Sequence, residues 1–186
     1  MTMKTKVGVM GSAAAESARL ETGNTLVDKA ERLAHVIAGQ DVLLLTGGTT
    51  GIVYVVGKTA HEAGSFHIGI SPASNEHEHS ELYKLPVDAC DALVYTGFGL
   101  KGRNVVLVRS SDIVLFVSGA MGSLNEFTIA YDEGKIIGCL TGTGGVADES
   151  EYLMQKFGKR ASTARVFTGE DPVKLVDDCM NALKSR

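Results

Sequence analysis

Seven short apolar runs, closed by glycine or a small polar residue, alternate with longer stretches of helical spacing. The runs are VGVM (7–10), DVLLLT (41–46), FHIGI (66–70), ALVYT (92–96), DIVLFVS (112–118), IIGCL (136–140) and ARVFT (164–168). Unbroken runs of this length, rich in β-branched residues, are strands buried on both faces. Between them lie segments long enough for helices: 23–38, 51–63, 101–110, 122–133, 148–157 and 171–184. In the first, Leu26, Ala30, Leu33, Ala34, Val36 and Ile37 form one apolar stripe. Strands alternating with helices give βαβ units and a parallel sheet. Right-handed crossovers then place helices on both faces. The expected fold is α/β, a doubly wound, mostly parallel sheet in a Rossmann-like three-layer sandwich. It forms a single domain over 1–186 with no internal repeat. The one long irregular stretch is 73–91, and loops of that length are often functional.

Composition narrows the partners. The net charge of −4 is the wrong sign for a general nucleic-acid binder, which needs excess Lys and Arg to neutralise phosphates. No run approaches the roughly 20 apolar residues of a membrane span, and the N-terminal apolar run is too short for a signal peptide. Three widely spaced cysteines, Cys90, Cys139 and Cys179, show no CxxC pair and read as small buried hydrophobes in a reduced, cytoplasmic protein. The expected partners are a small-molecule nucleotide or other phosphate-bearing ligand, with no nucleic acid and no membrane.

In an open parallel sheet the ligand sits beyond the carboxyl ends of the strands, where strand order reverses. The loops to inspect follow 7–10, 41–46, 92–96 and 112–118, and all carry glycine. Helix N-termini emerging there offer free N–H groups and a partial positive charge. Two standard motifs fail. The dinucleotide fingerprint G-x-G-x-x-G is absent after the first strand, and the second strand ends in Leu45-Thr46 without the acid that holds ribose. Gly51 to Gly57-Lys58-Thr59 has five intervening residues where a P-loop has four, and they are too apolar to curl around a triphosphate. That stretch reads as a buried helix with a close-packed glycine. The remaining segments are TGGTTG (46–51), TGFGLKGRN (96–104) and SGAMGSLNE (118–126). In the last, Gly119, Ala120 and Gly122 present backbone without bulk, and Glu126 falls about one turn into the following helix.

Together these segments resemble the LOG-like, Rossmann-fold nucleotide-binding family, the "possible lysine decarboxylase" type. Its best-known members are cytokinin-activating phosphoribohydrolases carrying PGGxGTxxE and an upstream Arg. The order is similar over roughly residues 5–140: Gly11-Ser12, Gly47-Gly48, Arg103, then the glycine loop with Glu126. The spelling TG…GRN followed by RSSD (109–112) is closer to the branch that includes molybdenum-cofactor carrier proteins. The resemblance implies Arg103 and Glu126 as the catalytic pair. It implies ligand contacts from Gly11, Ser12, Gly47, Gly48, Gly97, Asn104, Ser118, Gly119, Ala120, Met121, Gly122 and Ser123. It also implies a homo-oligomer, dimer or tetramer, with helices 51–63 and 101–110 apolar enough for an interface. The family's Pro-Gly-Gly is Ser118-Gly119-Ala120 here, its Thr is Ser123, and its Arg-Lys is Arg103-Asn104. Nothing marks a Schiff-base lysine for decarboxylation.

Two functions of different class follow. In one the cradle binds a nucleotide or a phosphorylated pterin such as the molybdenum cofactor, with no cofactor required and no turnover. In the other the chain cleaves the N-glycosidic bond of a nucleoside 5′-monophosphate, with Glu126 activating water and Arg103 holding ribose or phosphate. The two side chains converge if strands 92–96 and 112–118 neighbour each other, and both then face a wet crevice. No metal site is expected. His77 and His79, flanked by acids, have a His-x-His spacing that could bind a metal, but the stretch reads as a solvated, mobile loop over the site. Tyr95, Phe98 and Tyr131 are candidates for a base pocket, with core packing the stronger role for Tyr95.

Overall fold

The computed structural model describes residues 3–13, 26–158 and 162–185. The start of the first expected helix, at 23, lies outside them. The elements alternate as expected: β1 (Thr5–Gly11), α1 (Leu26–Ala38), β2 (Val42–Thr46), α2 (Ile52–Glu62), β3 (Phe66–Ser71), β4 (Ala92–Tyr95), α3 (Gly99–Ser110), β5 (Ile113–Val117), α4 (Met121–Asp132), β6 (Ile136–Leu140), α5 (Gly145–Phe157), β7 (Arg165–Gly169) and α6 (Pro172–Lys184). The seven strands form one sheet in the order β4-β3-β2-β1-β5-β6-β7, and every pairing is parallel. Among the described residues no helix is long and apolar enough to cross a membrane.

Strand pleating divides the core into two layers. Val7, Val9, Leu44, Ile113, Leu115 and Val117 pack on one face with α1, α2 and α6. Met10, Leu45, Val114, Phe116 and Cys139 pack on the other with α3, α4 and α5. Phe116 meets Phe127 of α4 edge to face, with ring centroids 5.5 Å apart. This is the three-layer, doubly wound arrangement expected from the sequence.

The strand order places the switch point between β1 and β5. From β1 the chain steps outward through β2 and β3 to the edge strand β4. It then returns to the far side of β1 to make β5. The condition that strands 92–96 and 112–118 be neighbours is therefore not met, because β3, β2 and β1 lie between them. The return is made by α3, which packs across β3 and β1 and against α4. A helix beginning at the sheet edge thus carries its residues to the centre.

The irregular stretch is solvated at His77, as expected, but not at His79. Glu78–Leu82 makes a π-helical turn, and His79 is fully buried. Its Nε2 meets Pro86 O at 3.0 Å. A carbonyl only accepts, so Nε2 carries the proton and Nδ1 accepts from Ser71 Oγ at 2.8 Å. Tyr95 stands edge-on to the same ring, 6.0 Å away. Both ring nitrogens of His79 are spent on structure. Among the described residues no cluster of three potential metal ligands occurs. Gly57 of the near-miss P-loop lies inside α2, where a Cβ would come within 2.5 Å of the His67 ring.

Candidate functional site

At the switch point a cavity of about 320 Å³ opens between the ends of β1 and β2 and the starts of α2, α3 and α4. Its first wall is the loop after β1. Ser12 O accepts the first N–H of α2, from Ile52, at 2.9 Å. Ala13 O accepts from Thr50 Oγ1 at 3.0 Å. These bonds lock the two neighbouring strand-to-helix loops together.

The second wall is the start of α4. Ala120 offers no side-chain cap, and the first turn holds no acid. Helix geometry gives the N–H groups of Met121, Gly122 and Ser123 no intrahelical acceptor. The starts of α2 and α3 likewise lack a side-chain cap and an acid. By contrast α6 is capped by Asp171, whose Oδ1 accepts from Val173 N at 3.0 Å. Uncapped starts leave positive partial charge facing the cavity. The turn into α4 bends through Gly119 at φ +118°, a conformation natural only for glycine. Its carbonyl and that of Ser118 accept from Val146 N and Ala147 N at 3.0 and 3.1 Å, so this part of the loop holds α5 in place.

Arg103 and Glu126 supply the charges. Both line the cavity, and each is only 6% exposed. The Arg103 guanidinium lies over Gly47, where any Cβ would overlap its Nη1. That close approach is why the turn after β2 has glycine there. Among the described residues the buried Arg103 Nε has no hydrogen-bond partner. Burial works against the guanidinium's charge, and Glu126 supports it. Arginine nonetheless stays protonated. Burial pushes the Glu126 carboxyl up to about 7, with Arg103 and Lys101 pulling it back. Asn104, with its amide nitrogen turned toward acceptors, donates to Leu100 O at 2.9 Å and to Glu126 Oε1 at 3.0 Å.

Of the residues expected at the site, Gly11, Ser12, Gly47, Arg103, Asn104, Ala120, Gly122, Ser123 and Glu126 line the cavity. Five of the expected contacts are not among its lining. Gly48 turns away at φ +57° toward Leu93 and His79. Gly97 lies beside Ser74 at the end of the edge strand. Ser118 and Gly119 are committed to α5, and the Met121 side chain is 75% exposed. Neither the 73–91 stretch nor Tyr95, Phe98 or Tyr131 lines it. Sequence reasoning missed Lys101, which lines the cavity and approaches Gly122. Its signal was present: Lys101 stands two residues before Arg103, in the first turn of a helix starting at the site. It brings a second cation beside Asn104, which stands where the LOG-like resemblance expects a lysine.

A model of the SLOG cluster4 family matches residues 4–176. The chain belongs to the SLOG cluster4 family. An uncharacterized protein of Archaeoglobus fulgidus is 32% identical over 111 residues, covering 60% of this chain and 68% of that protein. The molybdenum cofactor binding protein of Rippkaea orientalis superposes with a TM-score of 0.72 at 26% identity, covering 100% of this chain and 98% of that one. The molybdenum cofactor carrier protein of Chlamydomonas reinhardtii gives 0.71 at 26% identity, covering 98% and 100%. The LOG-like resemblance therefore holds in coarser form. This SLOG cluster4 chain has structural neighbours among molybdenum-cofactor carriers, and these matches do not extend to the lysine decarboxylase type.

Proposed function

We propose that the chain binds a phosphate-bearing small molecule, a nucleotide or a phosphorylated pterin such as the molybdenum cofactor, in the β1/β5 cavity, and holds it without turnover. One observation carries this reading: a buried arginine, Arg103, has a side-chain N–H without an acceptor among the described residues and lines the same cavity as an uncapped helix start. A buried donor left unmade costs about 1–3 kcal/mol, and an oxyanion beside it removes that cost. The residues fit such a ligand. Ala120, Gly122 and Gly47 leave room for close approach, and Lys101 and Arg103 provide charge-assisted donors. Met10, Leu100 and Leu107 give the apolar surface that a flat ring system needs. A volume of about 320 Å³ is at the lower end for small-molecule sites and suits one nucleotide-sized guest. The names of the two structural neighbours support cofactor cargo of this kind.

A second reading rests on Glu126. A carboxyl held near 7 is poised to exchange a proton with water at neutral pH. That favours the nucleoside 5′-monophosphate phosphoribohydrolase alternative, with Glu126 activating water and Arg103 holding the sugar phosphate. Incubation with AMP, followed by assay of free adenine alongside calorimetric titration, separates the two. Saturable binding with no adenine released supports the carrier. Repeated turnover, lost in Glu126→Gln, establishes the hydrolase.

A further inference from the structure

We infer that anion binding in this cavity is coupled to proton uptake by Glu126, so that the protein loads its ligand at neutral pH and releases it as pH rises. The inference rests on the binding reading above and adds its regulation. Among the described residues three charged side chains line the cavity: Lys101 and Arg103 from α3, and Glu126 from α4. β1, β6, α3 and α5 all pack on α4, and among the described residues the charged groups that act on Glu126 are Arg103 and Lys101, both from α3. When no anion is bound, these two cations are the groups that favour its ionised form.

An oxyanion entering beside Arg103 and Lys101 takes over that role. It also places negative charge near a carboxylate that burial already disfavours. Both effects drive the carboxylate to the neutral acid, with the proton drawn from solvent. Asn104 donates to Oε1, which leaves Oε2 to carry the proton. The resulting O–H is a hydrogen-bond donor, so a group that repelled the anion becomes one that can bind it. The free carboxyl titrates near 7. Uptake is therefore small well below that value, where the carboxyl already holds its proton, and rises toward one proton well above it.

Inorganic sulfate, fully ionised from about pH 5 to 9, is the main probe because it carries no titrating proton of its own; AMP is the second. Titration calorimetry of the intact protein in two buffers of different ionisation enthalpy counts the protons directly and needs no variant. The expected results are net uptake approaching one proton near pH 8 and affinity falling about tenfold per pH unit above pH 7. Infrared difference spectra should show a protonated carboxyl band appearing on binding. Glu126→Gln should abolish the uptake, the band and the slope. Sulfate or AMP binding with no proton exchange, or an unchanged slope in Glu126→Gln, overturns the coupling and leaves the binding reading standing. Failure of both anions to bind at any pH overturns both.

Discussion

Glu126→Gln should make the protein more stable above neutral pH, contrary to the usual cost of removing a buried charge. Burial holds the Glu126 carboxyl near 7, against an ordinary value of 4.5. The folded protein therefore binds the proton more tightly than the unfolded chain, and folding stability falls as pH rises between those values. The gap is worth about 3 kcal/mol at full ionisation. Glutamine is close in shape and never ionises, so the variant should gain up to about 3 kcal/mol over the parent near pH 8 and almost nothing near pH 4. His67 acts in the opposite direction. Burial lowers its pKa from 6.5 to about 4, so the unfolded chain takes up the proton first, and stability falls as pH drops through that window. In the parent the two trends offset each other between about pH 4.5 and 6.5. In Glu126→Gln the His67 slope should stand exposed. Urea unfolding at pH 4, 6 and 8, with the transition midpoint read at constant m-value, measures this. A variant less stable than the parent at pH 8 would refute the reasoning, because the Glu126 carboxylate would then be a net stabilising partner of Arg103.

Gly47→Ala puts a methyl group into the space of the Arg103 guanidinium. The flexible end of that side chain can move, so the melting curve should shift by no more than about 1 kcal/mol of stability. AMP affinity should fall at least about tenfold, the scale of one charge-assisted contact, and unchanged AMP affinity by calorimetry counts against Arg103 as a ligand contact. Cys139 and Cys179 are buried, and burial pushes both thiols up to about 12. A thiol reagent should thus label only the half-buried Cys90 in the native protein, slowly because its pKa is also raised, and all three thiols after unfolding. Leu100 and Val105 of α3 and Met121 of the adjacent α4 are exposed, whereas α2 is covered by α1. Light scattering should show a dimer or tetramer that Val105→Glu weakens, and a monomeric parent would remove the homo-oligomer proposal.

The alternation of strands and helices was readable because a strand buried on both faces has no freedom to carry polar residues. Strand order was not, because an apolar run closed by glycine looks the same at the sheet centre and at its edge. That is why Gly97, at the end of the edge strand β4, read as a site residue. It is also why the meeting of Arg103 and Glu126 was credited to neighbouring strands rather than to α3 crossing the sheet. Arg103 and Glu126, expected to stand in a wet crevice, are themselves buried in the cavity wall, so replacing either acts on stability as well as binding. Asn104 read as a lost lysine, and only the fold shows it bonded to Glu126 with Lys101 supplying the cation. His79, flanked by polar residues in the sequence, gives no local sign of burial. Its partners Ser71, Pro86 and Tyr95 are brought to it by the packing of the segment on β3 and β4.

A crystal structure of the protein bound to AMP tests directly whether the β1/β5 cavity is the phosphate site. Its phosphate should lie against the N–H groups of residues 120–123, with an oxygen within hydrogen-bonding distance of Arg103, about 3 Å. A phosphate seated at residues 57–59, with the β1/β5 cavity unfilled, would show the assignment to be wrong.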